Sequence, residues 1–265
     1  LSRYAADHPP EFDYERDTIH HISSPNFYRA KGYETEDAFL NFLVDELEQK
    51  ILELGADKVA ALYVSDEVVT AFGRLGHWFA SEDVFGFVPD IITCAKGLSS
   101  GYLPIGATIY SDRIHSVISE QGKGRYFANG YTYSGHPVCC AAALKNLEIM
   151  ERENIFANAI EVGDYFGQQL QTLTDLPIVG EVRGYRLMQC VEFVANKETK
   201  ELFPEEMDIG KVVSDIADKK GLLVRPIVHL NVMSPPLIIT KEEVDFAVKT
   251  LRESIIEASS QINHS

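Results

Sequence analysis

Apolar and polar positions change their period several times along this chain, and each change marks a new element. Residues 1–34 have no period: Pro9, Pro10, Pro25 and Gly32 interrupt scattered aromatics, so the stretch reads as irregular. Phe39, Phe42, Leu43, Leu47, Ile51 and Leu54 then recur at helical spacing. Thr35 ahead of them suits an N-cap and Gly55 behind them a terminator, which predicts a helix running to about Leu54. Lys58 to Val69 is a run of twelve β-prone residues, long for one strand. Phe72-Gly73-Arg74-Leu75-Gly76 predicts a turn, and Pro89 to Thr93 and Pro104 to Tyr110 predict short strands. Gly135-His136-Pro137 opens a helix through Met150, since proline suits the first helical turn, and a further helix over about 153–173 leads away from the sheet.

From about Pro177 the pattern shifts. Ile178 to Gly184 and Leu187 to Val194 alternate as two antiparallel strands. A helix near 208–220, a strand at Leu222 to Pro226, an apolar strand around 228–239 and a terminal helix from Thr240 follow. Strands and helices segregated in this way predict a small α+β domain over 176–265, beside a larger α/β domain over 1–175. The chain shows no internal repeat and no low-complexity segment.

Composition narrows the partners. A chain of 265 residues with 45% hydrophobic and 24% charged positions belongs with ordinary globular proteins and can bury a large core. The net charge of −16 argues against a nucleic-acid backbone or an anionic membrane as partner. Cys94, Cys139, Cys140 and Cys190 lie in apolar stretches without C-x-x-C spacing, which predicts neither zinc nor a redox motif but a reduced, cytoplasmic chain. There is no apolar run long enough for a transmembrane helix and no visible signal peptide. Leu1 opens in a polar, proline-bearing stretch without methionine, as the middle of a longer polypeptide would.

The candidate chemistry begins with two charges that each close an apolar run. Asp66 ends Leu62 to Ser65, and Lys96 follows Asp90 to Ala95. In an α/β protein such ends lie on the carboxyl edge of a parallel sheet, where ligands bind. An acid and an amine offered together suit pyridoxal phosphate, which has a basic ring nitrogen and an aldehyde carbon. The apolar lead-in is expected to desolvate the Lys96 amine and depress its pKa, as imine formation requires. Val68, two residues beyond Asp66, is expected to point to the same side and pack on the ring. Each residue has a plainer explanation: a solvated strand-end charge for Lys96, a turn cap for Asp66, core packing for Val68. Glu67 also suits the buried partner of an arginine. Gly130 to Pro137 precedes a helix, where hydroxyls and free N–H groups bind phosphate, although an ordinary cap accounts equally for Ser134 and Thr132. His136 suits a structural role. Arg225-Pro226 ends a strand, and its guanidinium suits either a substrate carboxylate or plain solvent exposure.

Taken in order, these pieces resemble the class III aminotransferases, the ω-amino-acid group of fold-type I pyridoxal-phosphate enzymes. The resemblance rests on Ser65 to Val68 with Gly73 to Gly76, Pro89 to Thr93 leading to Ala95-Lys96-Gly97, Pro104 to Ala107, Gly130 to Pro137, and Val224-Arg225-Pro226 with Pro235-Pro236. It implies a mostly parallel central sheet with helices on both faces, plus the small C-terminal domain. It also implies that Lys96 bonds the cofactor aldehyde, Asp66 pairs with the pyridine nitrogen and Val68 packs on the ring. Thr132 would reach the cofactor phosphate of the neighbouring subunit, and Arg225 would bind the carboxylate of the acceptor. The implied reaction is ping-pong transfer from an ω-amino acid or amine to a keto acid such as pyruvate. The enzyme would be a homodimer with a shared active site, a tetramer being the larger alternative.

Two departures stand out. The family's Gly-Ser phosphate loop and its Tyr-His-Gly segment, which precede the equivalent of Leu1, are not in this sequence. The family also places a strand-turn-helix with a Glu-Pro pair between the equivalents of Ala61 and Tyr63. Adjacent parallel strands need a crossover of about a dozen residues, so we expect residues to be omitted around Leu62. Ordinary spacing of about 3.8 Å between the Cα atoms of Ala61, Leu62 and Tyr63 would refute that. Two rivals remain. One is an ATPase using Ala61 to Glu67 as a Walker-B strand, though no phosphate loop accompanies it and Gly122-Lys123-Gly124-Arg125 does not substitute. The other is a non-catalytic scaffold of the aminotransferase fold.

Overall fold

The computed structural model describes residues 20–57, 64–120 and 129–263. The described residues form two compact units, one before the stretch 58–63 and one after it. In the first, α1 spans Glu36–Leu54. The Thr35 hydroxyl accepts from the Ala38 N–H at 3.2 Å and Gly55 ends the helix at φ +92°, so both predicted caps form. Phe39 and Leu43 are buried, and Phe27 and Tyr33 pack their rings against Phe39. Within the stretch expected to be irregular, Phe27–Arg29 forms a 3₁₀ turn capped by Asn26.

The second unit opens with a three-stranded sheet. Strands β1 (Val64–Asp66), β2 (Ile91–Cys94) and β3 (Ala107–Tyr110) lie in that order, β1 parallel to β2 and β2 antiparallel to β3. Between β1 and β2 lie a series of turns and the short helix α2 (Ala80–Asp83). The long β-prone run ends early. Glu67 N–H makes a bond to Thr93 O at 2.8 Å, and the chain then turns, with Ala71 N–H donating to Glu67 O. Residues 58–63, and with them the spacing around Leu62, lie outside the described residues, as does Gly122 to Arg125.

Helix α3 (Asp112–Ile118) was not anticipated; its sequence offers little apolar periodicity. The predicted pair α4 (Pro137–Arg152) and α5 (Ile155–Gln171) follows, separated by Asn154 at φ +49°. The C-terminal sheet runs β4-β5-β7-β6, all antiparallel, from β4 (Val179–Tyr185), β5 (Met188–Phe193), β6 (Arg225–Ile227) and β7 (Leu230–Met233). Helices α6 (Ile209–Lys219) and α7 (Lys241–Asn263) complete it. Val162, Phe166 and Leu170 of α5 share one core with Val179, Val191, Phe193, Ile209, Val213, Val244, Leu251 and Ile255. The strand expected at Leu222 begins only at Arg225, and the one expected over 228–239 ends at Met233, where Pro235 and Pro236 cannot donate to a ladder. Among the described residues no helix is long and apolar enough to cross a membrane.

Candidate active site

Because β1 and β2 run parallel, their carboxyl ends open on the same sheet edge. Asp66 is the last residue of β1 and sits opposite Thr93. Lys96 follows the end of β2, Cys94, by two residues. Acid and amine therefore leave from neighbouring strand ends, as the apolar lead-ins predict. Asp66 is exposed, and its Oδ1 accepts the Val68 N–H at 3.0 Å, the local bond by which an aspartate closes a turn onto its own backbone. That bond fixes the carboxylate without consuming it.

Three expectations need correction here. Val68 is in the turn rather than the strand, so alternation along β1 does not set its direction. Glu67 is only 1% exposed but has no arginine partner among the described residues: its Oε1 accepts the Ser81 N–H at 2.7 Å and its Oε2 the Thr70 hydroxyl. Both oxygens are thus committed to the loop behind the sheet edge, as a buried carboxylate requires. Lys96 is exposed rather than desolvated, because the chain leaves the strand at Ala95 and enters a 3₁₀ turn. Its backbone takes φ +39°, a left-handed value unusual for a residue with a side chain.

Thr132 lies, exposed, in the turn over 132–135 that leads to α4. The hydroxyl of Ser134 accepts the Tyr131 N–H at 3.0 Å, and the helix takes His136 as N-cap without a side-chain bond, so neither Ser134 nor Thr132 is the cap. Arg225 opens β6 at the edge of the C-terminal sheet, exposed and paired through its backbone with Val232. Asp66 and Lys96 share one sheet edge, whereas Thr132 and Arg225 stand on separate elements, with no bond from either to that edge among the described residues.

Sequence reasoning missed two supports. Arg74 is partly buried, and its Nη1 donates to Leu187 O at 3.0 Å and Pro235 O at 2.6 Å. Burial pulls this guanidinium below its usual range. The flanking Gly73 and Gly76 (φ +90° and +85°) have no room for a Cβ, which would meet the Phe156 ring at 2.8 Å and Ile160 at 2.4 Å. The glycine bracket around Arg74 was the available signal. The second support is Asn146, on α4, whose amide reaches the Lys96 turn. A lone asparagine among Ala141 to Leu147 gave little warning of it.

Known proteins of similar sequence and shape fall in one group. The sequence profile described as Aminotransferase class-III matches residues 40–255. A probable gamma-aminobutyrate transaminase 4 of Oryza sativa subsp. japonica is 36% identical over 295 aligned residues, covering 96% of this chain and 61% of that protein. Those 295 positions exceed the 265 residues of the chain, so that relative has internal stretches without a counterpart here. The putrescine–pyruvate aminotransferase of Pseudomonas aeruginosa is 32% identical over 92% of this chain and 60% of that protein. The crystal structure of a thermostable (S)-enantioselective omega-transaminase from Thermomicrobium roseum superposes with a TM-score of 0.88 at 34% identity, covering 94% of this chain and 62% of that one. The chain thus spans about three fifths of the length of the curated relatives it matches.

Proposed function

This chain belongs to the class III aminotransferases, and from that we propose that the whole protein is a pyridoxal-phosphate-dependent transaminase moving an amino group from an ω-amino acid or amine to a keto acid such as pyruvate. The observation that carries this reading is the departure of Asp66 and Lys96 from the carboxyl ends of adjacent parallel strands. An anchored carboxylate and an amine with no partner among the described residues fit a ring that needs a proton held at its nitrogen and a nucleophile at its aldehyde. When bound, the cofactor supplies an electron sink for charge developing at the substrate Cα.

In this reading Asp66 keeps the ring nitrogen protonated, with its own orientation held by the Val68 N–H. Lys96 would hold the cofactor at its aldehyde carbon, and its amine would carry a proton to and from the substrate Cα. Val68 covers one ring face. Thr132, contributed by the neighbouring subunit of a homodimer, binds the phosphate, and Arg225 binds the acceptor carboxylate bidentately. The division at residue 175 into a large cofactor-binding part and a small C-terminal domain belongs to the same reading, as does a cytoplasmic location. The relatives' names point to γ-aminobutyrate and putrescine as donors to try first. The ATPase alternative loses its water-activating residue, because both Glu67 oxygens are engaged.

The test uses the full-length protein. A cofactor absorbance band, abolished in Lys96→Ala, together with turnover of an amine donor and pyruvate, is the expected result. Absence of both in the unsubstituted protein would leave the inert scaffold as the better description.

A further inference from the structure

Among the described residues, the side chain of Asn146 hydrogen-bonds from outside to the turn that bears Lys96. Leu98 N–H donates to Ala95 O at 2.9 Å, Ser99 N–H to Lys96 O at 3.2 Å and also to Gly97 O, and Ser100 N–H to Gly97 O at 3.3 Å. Asn146, in the middle of α4, adds side-chain bonds to these. Its Nδ2 donates to Gly97 O at 2.9 Å and Leu98 O at 3.1 Å, and its Oδ1 accepts the Ser100 hydroxyl at 2.7 Å. Opposite, a Cβ built on Gly97 would come within 2.9 Å of Phe72 Cβ, so the turn has little room on that side. A lysine at φ +39° persists only where its surroundings over-determine the backbone. Here those surroundings are Phe72 and Asn146.

We infer that Asn146 is a positioning residue for Lys96. Its amide fixes the turn from which the lysine amine reaches the sheet edge, and the inference rests on the reading of Lys96 given above. A primary amide suits the task because its two N–H groups reach adjacent carbonyls while its oxygen faces a hydroxyl donor. Leucine of similar size offers none of the three bonds. Aspartate keeps the acceptor but sets a charge against two carbonyls.

The experiment compares the full-length protein with its Asn146→Leu and Asn146→Gln variants, first with the cofactor removed. Hydrogen exchange across residues 95–102 is expected to quicken about 10-fold or more in Asn146→Leu, with α7 unaffected and Asn146→Gln partly restored. With pyridoxal phosphate added, Asn146→Leu is expected to lower kcat about 10- to 100-fold at little change in donor KM, and to shift the pH midpoint of the cofactor band. Unchanged exchange across 95–102 overturns the proposal. So does faster exchange with kcat and the pH midpoint both unmoved, since the turn would then matter only to folding. A Lys96→Ala protein that keeps its band and turnover overturns instead the reading of Lys96. Should Asn146→Leu fail to fold, Asn146→Ser removes the same reach and is judged by the same outcomes.

Discussion

The two sheets of the second unit are built to different plans. The C-terminal sheet is closed: Val179, Val191 and Phe193 are wholly buried, and Ile209, Leu251 and Ile255 from the helices complete one core with them. The site-bearing sheet is open. Of the residues in β1, β2 and β3 only Cys94 is buried, while Val64 is 57% and Ile109 45% exposed. Parallel strands are normally covered on both faces, and among the described residues these are not. The closed sheet finds its packing partners within its own stretch of sequence, whereas the apolar residues of the open one have few among the described residues.

The sharpest way to break that contrast is to truncate one apolar side chain in each sheet. Phe193→Ala is expected to cost about 3–5 kcal/mol in chemical denaturation, the usual loss for an emptied aromatic site in a core. Ile109→Ala is expected to cost under about 1 kcal/mol, because its side chain still meets water. Comparable losses at the two positions would mean that the open sheet is covered in solution.

Arg74 tests the connection between the regions. It stands in the turn after β1 and binds the carbonyls of Leu187, in the β4–β5 hairpin, and of Pro235, beyond β7. Arg74→Met keeps the stem and leaves two carbonyls without a donor, at an expected cost of about 2 kcal/mol. Arg74→Lys is expected to recover part of that loss, since one ammonium cannot match the spread of a guanidinium. Protease accessibility of the 67–90 connection would register the loosening, and an unchanged pattern would show that the two regions hold together without Arg74.

How much was legible follows the same division. Helix α1 was readable to its caps because Thr35, Gly55 and the apolar stripe are all local signals. Strands β4 and β5 were readable because their apolar residues report a core made by nearby sequence, whereas β6 and β7 begin or end short of the runs that predict them. At the site, local signals located the strand ends but not what happens beyond them. The β-prone run carried Val68 into the strand in expectation, whereas the ladder closes at Glu67 and an aspartate-closed turn takes over. Glu67 called for a partner, and the pattern could not tell an arginine from the Ser81 amide and Thr70 hydroxyl. Lys96 and Asn146 are 50 positions apart, and no period links a turn to a helix at that distance. Arg74 and its two carbonyls are farther apart still.

The smallest expected effect concerns a thiol in each sheet. Burial pushes the Cys190 thiol, in β5, up to about 11, and burial also raises that of Cys94, at the end of β2. Between the ordinary thiol range and about 11 the folded chain keeps a proton on Cys190 that the unfolded chain has released. Stability is therefore whole below that window and falls as pH rises through it. At pH 10 the loss from Cys190 is about 1 kcal/mol. Cys190→Ala is expected to flatten the stability curve between pH 9 and 11 relative to the unsubstituted protein, measured by denaturant midpoints at each pH. Cys94→Ala reports the open sheet in the same way, and its flattening is expected to be the lesser. The reverse order would place the drier environment at the edge that holds Asp66 and Lys96, and would make the open sheet the better sealed of the two.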